Sequence, residues 1–365
     1  MRVIVCAIVV GTSLASPACA QPDRAAAAFW KNVQATCDAT AAKPAGELGR
    51  RIAQNAIDEF SLFGGHQIDA NGRLFHFGLT EAEHREEDGG GQPSSVGELG
   101  WWRVLKYWRV LYGDATADKL EVLGFRDASA STQGTEAAGL LRARAADLLK
   151  AADSASDPAA REIQREAALR AAIIDTPWSA AFVSYVVRQA GVTPDAFQFS
   201  NAHRAYIYDA FATSAAEIKK ETDGHAYRAC PLTTRPRAGD LLCQQREPTL
   251  ASTSDEAVRE HISAELSENT AERWVRRTHC EVVAYIDRPA RNMYTIGGNV
   301  NQAVTARKLN LRKRDLKFSL AQKSDCGGTG NWTLPPPSAG MAPARGPSDN
   351  CSLNDKKWFV LLQLR

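Results

Sequence analysis

The sequence predicts an α+β fold, because helical patterns fill its first half and strand patterns its second. Apolar residues recur at helical spacing in RRIAQNAIDEFSLFG and again in GELGWWRVLKYWRVLYG. After residue 235 the period is that of strands, in AGDLLC, HCEVVAYI, NMYTIGG, ARKLNLRK and KKWFVLLQLR. Helices followed by a run of strands favour N-terminal helices packed on an antiparallel sheet of about five strands.

The N-terminus has the pattern of a secretory signal peptide. Arg2 is followed by the apolar run VIVCAIVVGTSLA and by SPACA, which offers Ala18 and Ala20 as the small residues of a cleavage site. The run is too short to span a bilayer comfortably. Because Cys19 is near the cleavage site, a lipoprotein is an alternative, although the residues before it lack the leucine of a usual lipobox. We therefore expect an exported protein, periplasmic or extracellular, cleaved near Ala20, with no transmembrane segment thereafter.

The charge balance and the cysteine count indicate which partners and which cellular compartment to expect. The charge is nearly balanced, with 44 Lys and Arg against 42 Asp and Glu, so nucleic acid is not expected as a partner. Cleavage leaves six of the eight cysteines, an even number that suits disulfides in an oxidising compartment, although six cysteines allow fifteen connectivities. No CxxC spacing occurs, and neither a metal nor an organic cofactor is expected. The six are Cys37, Cys230, Cys243, Cys280, Cys326 and Cys351.

The elements follow in order along the chain. Residues 25–63 read as helical and end at Gly64-Gly65, and Asn71-Gly72 forms a turn between two short extended pieces. The alanine- and charge-rich stretch 114–160 is expected to be a helical excursion. A polar, helix-like insertion over 246–275 then interrupts the strands.

We expect a signal peptide and one domain. The aromatic stripes of the early helices need a partner to bury them, and no clear linker precedes the strands. The predicted parts are the signal peptide (1–20) and a single domain (21–365) with a helical part (21–160), a core (161–320), a disulfide-stapled loop (324–354) and a final strand (356–365).

DTPWSAAFVSYVVRQAG, residues 175–191, is the most informative stretch. Ser179 lies in the first turn of an apolar helix, where the helix dipole and free N–H groups stabilise negative charge on a nucleophile. Pro177 disfavours helix at Thr176 and so helps to place the boundary. From spacing alone, a serine that satisfies free backbone N–H groups is the simpler interpretation.

A serine nucleophile needs a base and a group that orients the base. His279 begins the strand HCEVVAYI, and Asn299, in IGGNV at the end of the next strand, is placed to orient it. His203, in FSNAHRAYIYDAF, is either a second catalytic or substrate-contacting histidine or one that joins two helices by a hydrogen bond. Cys280 faces the opposite side of the strand from His279 and could pair with Cys243 if their strands are adjacent.

Four motifs resemble, in order, those of CHAP and NlpC-type cell-wall amidases and peptidases: PWSAAFVSYVVRQAG, RPRAGDLL, HCEVVAYI and IGGNVNQAV. More closely, the chain is similar to an uncharacterised secreted bacterial family, domain of unknown function 2272, over roughly residues 50–320 and the final strand. The resemblance implies a papain-like fold and hydrolysis of amide bonds in peptidoglycan or its stem peptides, without a cofactor. By position, Ser179 corresponds to the nucleophile, His279 to the base and Asn299 to the orienting residue.

The same resemblance implies that Trp178, His203 and Gly298 contact the substrate. Gly297 and Gly298 would also let the backbone approach the site closely. Relatives of the CHAP and NlpC type carry cysteine where this chain has Ser179, and a hydroxyl, unlike a thiol, is not held as a stable anion. The alternative function is therefore a catalytically inactive cell-wall or protein-binding module on the same fold.

Overall fold

The computed structural model describes residues 24–83, 99–125, 140–221, 224–268, 275–320, 322 and 351–365. The helices are α1 (Arg24–Ala41), α2 (Glu47–Leu62), α3 (Gly100–Tyr112), α4 (Ala145–Ala152), α5 (Pro158–Asp175), α6 (Ser179–Gln189), α7 (His203–Ile218) and α8 (Asp255–Ser267). The strands are β1 (His66–Ile68), β2 (Leu74–His76), β3 (Glu121–Phe125), β4 (Leu140–Arg144), β5 (Tyr227–Cys230), β6 (Leu241–Gln245), β7 (Thr278–Asp287), β8 (Asn292–Val300), β9 (Ala303–Asn310) and β10 (Lys357–Leu364). The predicted signal peptide, Cys326 and nearly all of the predicted stapled loop lie outside these residues.

The molecule is α+β, and its main sheet has eight strands in the order β2-β1-β9-β8-β7-β6-β10-β5. All neighbours are antiparallel except β1 and β9, which run parallel. The prediction of about five strands was too low, since the short β1–β2 hairpin extends one edge and β5 forms the other. Strand β5 was not predicted because it is only four residues long and contains Arg228, a charged residue that breaks the apolar pattern. In the fold this charge is paired with Glu217 at 2.7 Å.

The prediction that residues 114–160 are helical was wrong for part of this stretch. It contains the two-stranded sheet β3–β4 before the helix α4. The backbone N–H groups of Glu121 and Leu123 donate to Thr176 Oγ1 and Asp175 Oδ2, at the end of α5. These long-range bonds favour a strand where alanine-rich composition favoured a helix.

Two tight turns shape the sheet. The predicted turn at Asn71-Gly72 is confirmed, with Gly72 at a φ of 78° and Asp69 Oδ1 accepting from the Asn71 N–H at 2.9 Å. Strands β8 and β9 join through Asn301 and Gln302, which both have positive φ, as a type I′ hairpin turn requires. The register shifts between Gly297 and Val300, so β8 carries a bulge immediately before this turn.

The early helices bury their aromatic stripe, as predicted. Trp101, Val104 and Trp108 of α3 are all buried. The Arg103 guanidinium, one turn apart from Tyr107, forms a buried ion pair with Glu59 of α2 at 2.8 Å. These contacts place α2 and α3 against α6, the helix that begins with Ser179.

Two disulfides join described residues. Cys243 of β6 pairs with Cys280 of β7, as the sequence suggested for adjacent strands, and Cys37 of α1 pairs with Cys230 of β5. Both fit the oxidising compartment expected of an exported protein. Within the described part of the chain, no helix is long and apolar enough to cross a membrane.

Candidate functional site

Ser179 is the first residue of α6 and is 6% exposed. The N-cap is Trp178, which makes no side-chain cap bond. The Ser179 hydroxyl instead lies 2.7 Å from Nε2 of His203, the first residue of α7. The serine is therefore part of a buried side-chain pair that joins two helix N-termini.

The hydrogen bonds of His203 determine which ring nitrogen carries its proton. Nδ1 accepts from the backbone N–H of Cys280 at 3.2 Å and also contacts the Tyr206 hydroxyl. An N–H group only donates, so Nδ1 carries the lone pair and Nε2 carries the proton. His203 therefore donates to Ser179 Oγ. Burial, followed by His279 and Arg246, lowers the pKa of His203 well below its ordinary value, so the ring is neutral.

His279 lies beside this pair but has different surroundings. Its ring centroid is 4.9 Å from that of His203, with the planes at 66°, and the residue is 3% exposed. Among the residues that the structure describes, neither ring nitrogen has a hydrogen-bond partner. Nε2 is 3.5 Å from Glu281 Oε1, an ion-pair distance without hydrogen-bond geometry. Burial lowers the pKa of His279, although Glu281 opposes the shift.

Glu281 is a functional candidate that the sequence analysis missed. It follows His279 by two residues, on the same face of β7. Its carboxylate accepts from Arg307 Nη2 at 3.1 Å and from the Thr295 hydroxyl. Burial acts to raise the pKa of Glu281, but Arg307 and then His279 outweigh it and hold that pKa well below its ordinary value. The charged residue inside the apolar run HCEVVAYI was the signal that could have identified it.

The structure does not form the predicted contacts of His279 and Asn299. The hydroxyl of Ser179 bonds to His203, and both nitrogens of His279 lack a partner among the described residues, Asn299 included. Asn299 has a φ of 53° and sits in the bulge before the hairpin turn, which displaces it from the regular ladder. The place next to His279 is taken by Glu281. The catalytic roles of these residues remain predictions.

Gly297 and Gly298 are required for close packing at the site, as predicted. A Cβ on Gly297 would lie 2.8 Å from Glu281 Cγ and 3.1 Å from His279 Nε2. A Cβ on Gly298 would lie 2.4 Å from Phe182 Cβ and 2.8 Å from Trp178 Cζ3. Strand β8 can therefore press against both β7 and α6 only because these positions lack side chains.

Trp178 is fully buried. Its ring packs against Phe63 and Tyr107, with centroids 5.9 and 5.8 Å away. The predicted substrate contacts of Trp178 and Gly298 thus involve residues that are both buried in packing. Within the described residues, no group of three or more His, Cys, Asp or Glu is arranged to hold a metal ion.

A family model described as "uncharacterized protein conserved in bacteria (DUF2272)" matches residues 96–364, well over half of the chain. No curated protein and no solved structure matches the chain. The matched segment contains Ser179, His203, His279 and Glu281. The chain therefore belongs to this family of bacterial proteins, DUF2272.

Proposed function

We propose that the protein is a hydrolase of amide bonds with Ser179 as its nucleophile. The observation that carries this proposal is a buried polar array: Ser179 Oγ lies 2.7 Å from His203 Nε2, and His279 and Glu281 lie beside them. A buried polar group without a hydrogen bond costs about 1–3 kcal/mol. A core built for stability alone would favour apolar side chains here, so the unpartnered nitrogens of His279 support a functional role.

His279 serves as the general base in this proposal. The Glu281 carboxylate favours the tautomer with the proton on Nε2, which leaves the Nδ1 lone pair free. His203 cannot fill this role in its present tautomer, because its Nε2 already carries a proton. His279 takes the proton of Ser179 as Oγ bonds to the substrate carbonyl carbon, then gives it to the leaving amine as the C–N bond breaks. Water releases the acyl group by the reverse sequence.

His203 stabilises the charge on the nucleophile. Its Nε2–H donates to Ser179 Oγ, and a donor at that atom stabilises the negative charge that develops during attack. The free backbone N–H groups in the first turn of α6 provide donors for the oxyanion of the tetrahedral intermediate. The site therefore has a candidate for each role that acyl transfer requires.

Peptidoglycan amide bonds are the proposed substrate class. This part rests on the four ordered motifs that resemble CHAP and NlpC-type enzymes and on the export that the N-terminus predicts. A papain-like fold, which the same resemblance implies, is part of this proposal. The peptide stems of peptidoglycan supply the amide bonds.

A second candidate is an inactive module that binds the cell wall. It is favoured by the low exposure of Ser179, 6%, and by the tautomer of His203. A histidine held in the wrong tautomer beside a serine nucleophile costs about 10⁴-fold in rate in the serine-protease triad. This function predicts a protein that binds sacculi without releasing fragments.

One experiment separates the two functions. The intact protein, Ser179→Ala and His279→Gln are each incubated with purified sacculi and, separately, with a neutral fluorophosphonate probe. The hydrolase predicts soluble fragments and labelling with the intact protein, and the loss of both in the two variants. Thermal melting of all three proteins confirms that they are folded.

A folded intact protein that binds sacculi, releases no fragments and resists the probe would overturn the hydrolase and support the binding module. Ser179→Cys adds a check on that outcome. Fragments released by this variant alone would identify a site that has kept its geometry but lacks a competent nucleophile.

A further inference from the structure

A group of cations lies at the end of the sheet next to His279. The register pairs Gln244 with His279 and Gln245 with Thr278, so Arg246, the residue that follows β6, lies beside the start of β7. The Arg246 backbone N–H donates to the Arg277 carbonyl at 2.7 Å. From the other side, β10 pairs Lys357 with Gln245. We call Arg246, Arg277, Lys356 and Lys357 the basic rim.

Within the described part of the chain, the cations of the basic rim form no ion pairs. Among the described residues, none of its four side chains lies within ion-pair distance of an acidic group, whereas other arginines of the molecule, such as Arg259 and Arg307, are paired with carboxylates. The Arg246 guanidinium makes a weak contact, 3.5 Å to the Thr278 carbonyl. Glu247 is nearby, but one of its carboxylate oxygens accepts from the backbone N–H groups of Arg276 and Arg277.

Two rim cations, Arg246 and Lys356, also act electrostatically on the site or on its charges. Burial lowers the pKa of Lys356, and Arg307 and Arg246 add to the shift against Glu281 and Asp355. Although Arg246 is exposed, partial desolvation of its side chain lowers its pKa, with Glu281 opposing. The charge of Arg246 contributes to the lowered pKa of both His203 and His279. Among the described residues, Glu281 is already paired with Arg307 and forms no ion pair with Arg246 or Lys356.

We infer that Arg246 and Lys356 bind a carboxylate of the substrate beside the bond that Ser179 attacks, so that the site selects acidic peptides. This inference rests on the proposed function at Ser179. An arginine beside a lysine is suited to a carboxylate, since the guanidinium offers a planar pair of donors and the ammonium adds charge. A carboxylate there would also offset the charge of Arg246, which acts on the two histidines.

The test measures binding in the Ser179→Ala protein, where turnover cannot interfere. Isothermal titration compares two acetylated tripeptides that differ only in charge: one with a central glutamate and a free carboxyl terminus, one with glutamine and a terminal amide. We expect the acidic peptide to bind at least about tenfold more tightly, a difference that shrinks as salt rises. Adding Arg246→Gln or Lys356→Gln should remove most of that preference.

Lys313→Gln is the matched control, because Lys313 is an exposed cation after β9, at the end of the sheet opposite to His279. It should leave the preference unchanged. Equal binding of both peptides, no binding of either, or equal loss of both in Arg246→Gln would overturn the inference. Failure of the hydrolase is detected separately, as absence of fluorophosphonate labelling in the intact protein, whatever the peptides do.

Discussion

His203 and His279 have ring centroids only 4.9 Å apart, but their ring nitrogens differ in whether they have hydrogen-bond partners. His203 has both ring nitrogens occupied, one accepting from Cys280 and one donating to Ser179. His279 has neither nitrogen occupied among the described residues and a carboxylate at one side. Proximity to the serine would favour His203 as the base, whereas the free lone pair favours His279, the base of the proposed mechanism.

The pH dependence of the site tests this assignment. His279 must be neutral to accept a proton, and burial lowers its pKa. The rate of fluorophosphonate labelling should therefore hold down to a pH below about 6.5, the ordinary value for histidine, and fall only under it. A rate that already halves at or above that pH would contradict the assignment. A neutral probe keeps the titration of a substrate out of the measurement.

Glu281→Gln tests the buried ion pair. The variant leaves the Arg307 charge uncompensated in the core, so the free energy of unfolding should fall by about 3–5 kcal/mol. If Glu281 selects the tautomer of His279 as proposed, labelling of Ser179 should also slow. Urea denaturation gives the first quantity and probe kinetics the second.

Glu121→Gln is the control for that experiment. Its partner Arg142 is 63% exposed, and a solvent-exposed pair contributes under about 1 kcal/mol. A loss in Glu281→Gln no larger than in this control would show that the buried pair does not stabilise the fold as its surroundings indicate.

At the scale of elements, the site depends on how closely β8 packs on α6 and β7. The two glycines of the IGGNV motif lie at the point of contact, and the bulge that follows directs Asn299 away from the regular ladder. From its two glycines, we predicted that the backbone of this motif approaches the site closely. Its actual neighbours, Phe182 and Glu281, come from different elements.

Gly298→Ala should therefore separate the strand from the helix. The new Cβ would lie 2.4 Å from Phe182 Cβ, a contact that neither residue can relieve without a backbone shift. We expect a loss of about 1–3 kcal/mol in stability and slower labelling of Ser179. Gly46→Ala is the control, because a Cβ there meets nothing within 4 Å. Equal stability of the two variants in thermal melting would contradict the packing argument.

At the scale of the whole molecule, the Cys37–Cys230 disulfide links the first described helix to the edge strand β5 across 193 residues. A cross-link over so long a segment restricts the unfolded chain strongly, by roughly 5 kcal/mol in the chain-entropy model. The Cys243–Cys280 disulfide spans 37 residues but lies next to His279. We therefore expect the first disulfide to affect mainly the stability of the fold, whereas the second lies where it could also affect the site.

Replacing Cys37 and Cys230 together with alanine should lower the free energy of unfolding by roughly 2–5 kcal/mol and leave the labelling rate of the folded protein unchanged. The reason is that neither residue contacts the site. Denaturation and probe labelling of the double variant test this. A large fall in labelling at full folding would show that the edge of the sheet and the site are coupled.

The sequence by itself determined the α+β class, the helix that starts at Ser179 and five of the strands, and it offered Cys243–Cys280 as one possible pair. These features follow from local periodicity and from the side on which neighbouring residues of a strand project. The strands β3, β4 and β5 were missed because their residues are held by partners far along the chain, such as Asp175 and Glu217.

Only the tertiary structure decided how the site is arranged. The bond between Ser179 and His203 joins residues on two helices, and the Glu281–Arg307 pair joins β7 to β9. The tautomer of His203 depends on a backbone N–H of a strand that lies 77 residues further along. Periodicity records which face of an element is buried, but which polar groups meet in the interior depends on the packing of elements against each other.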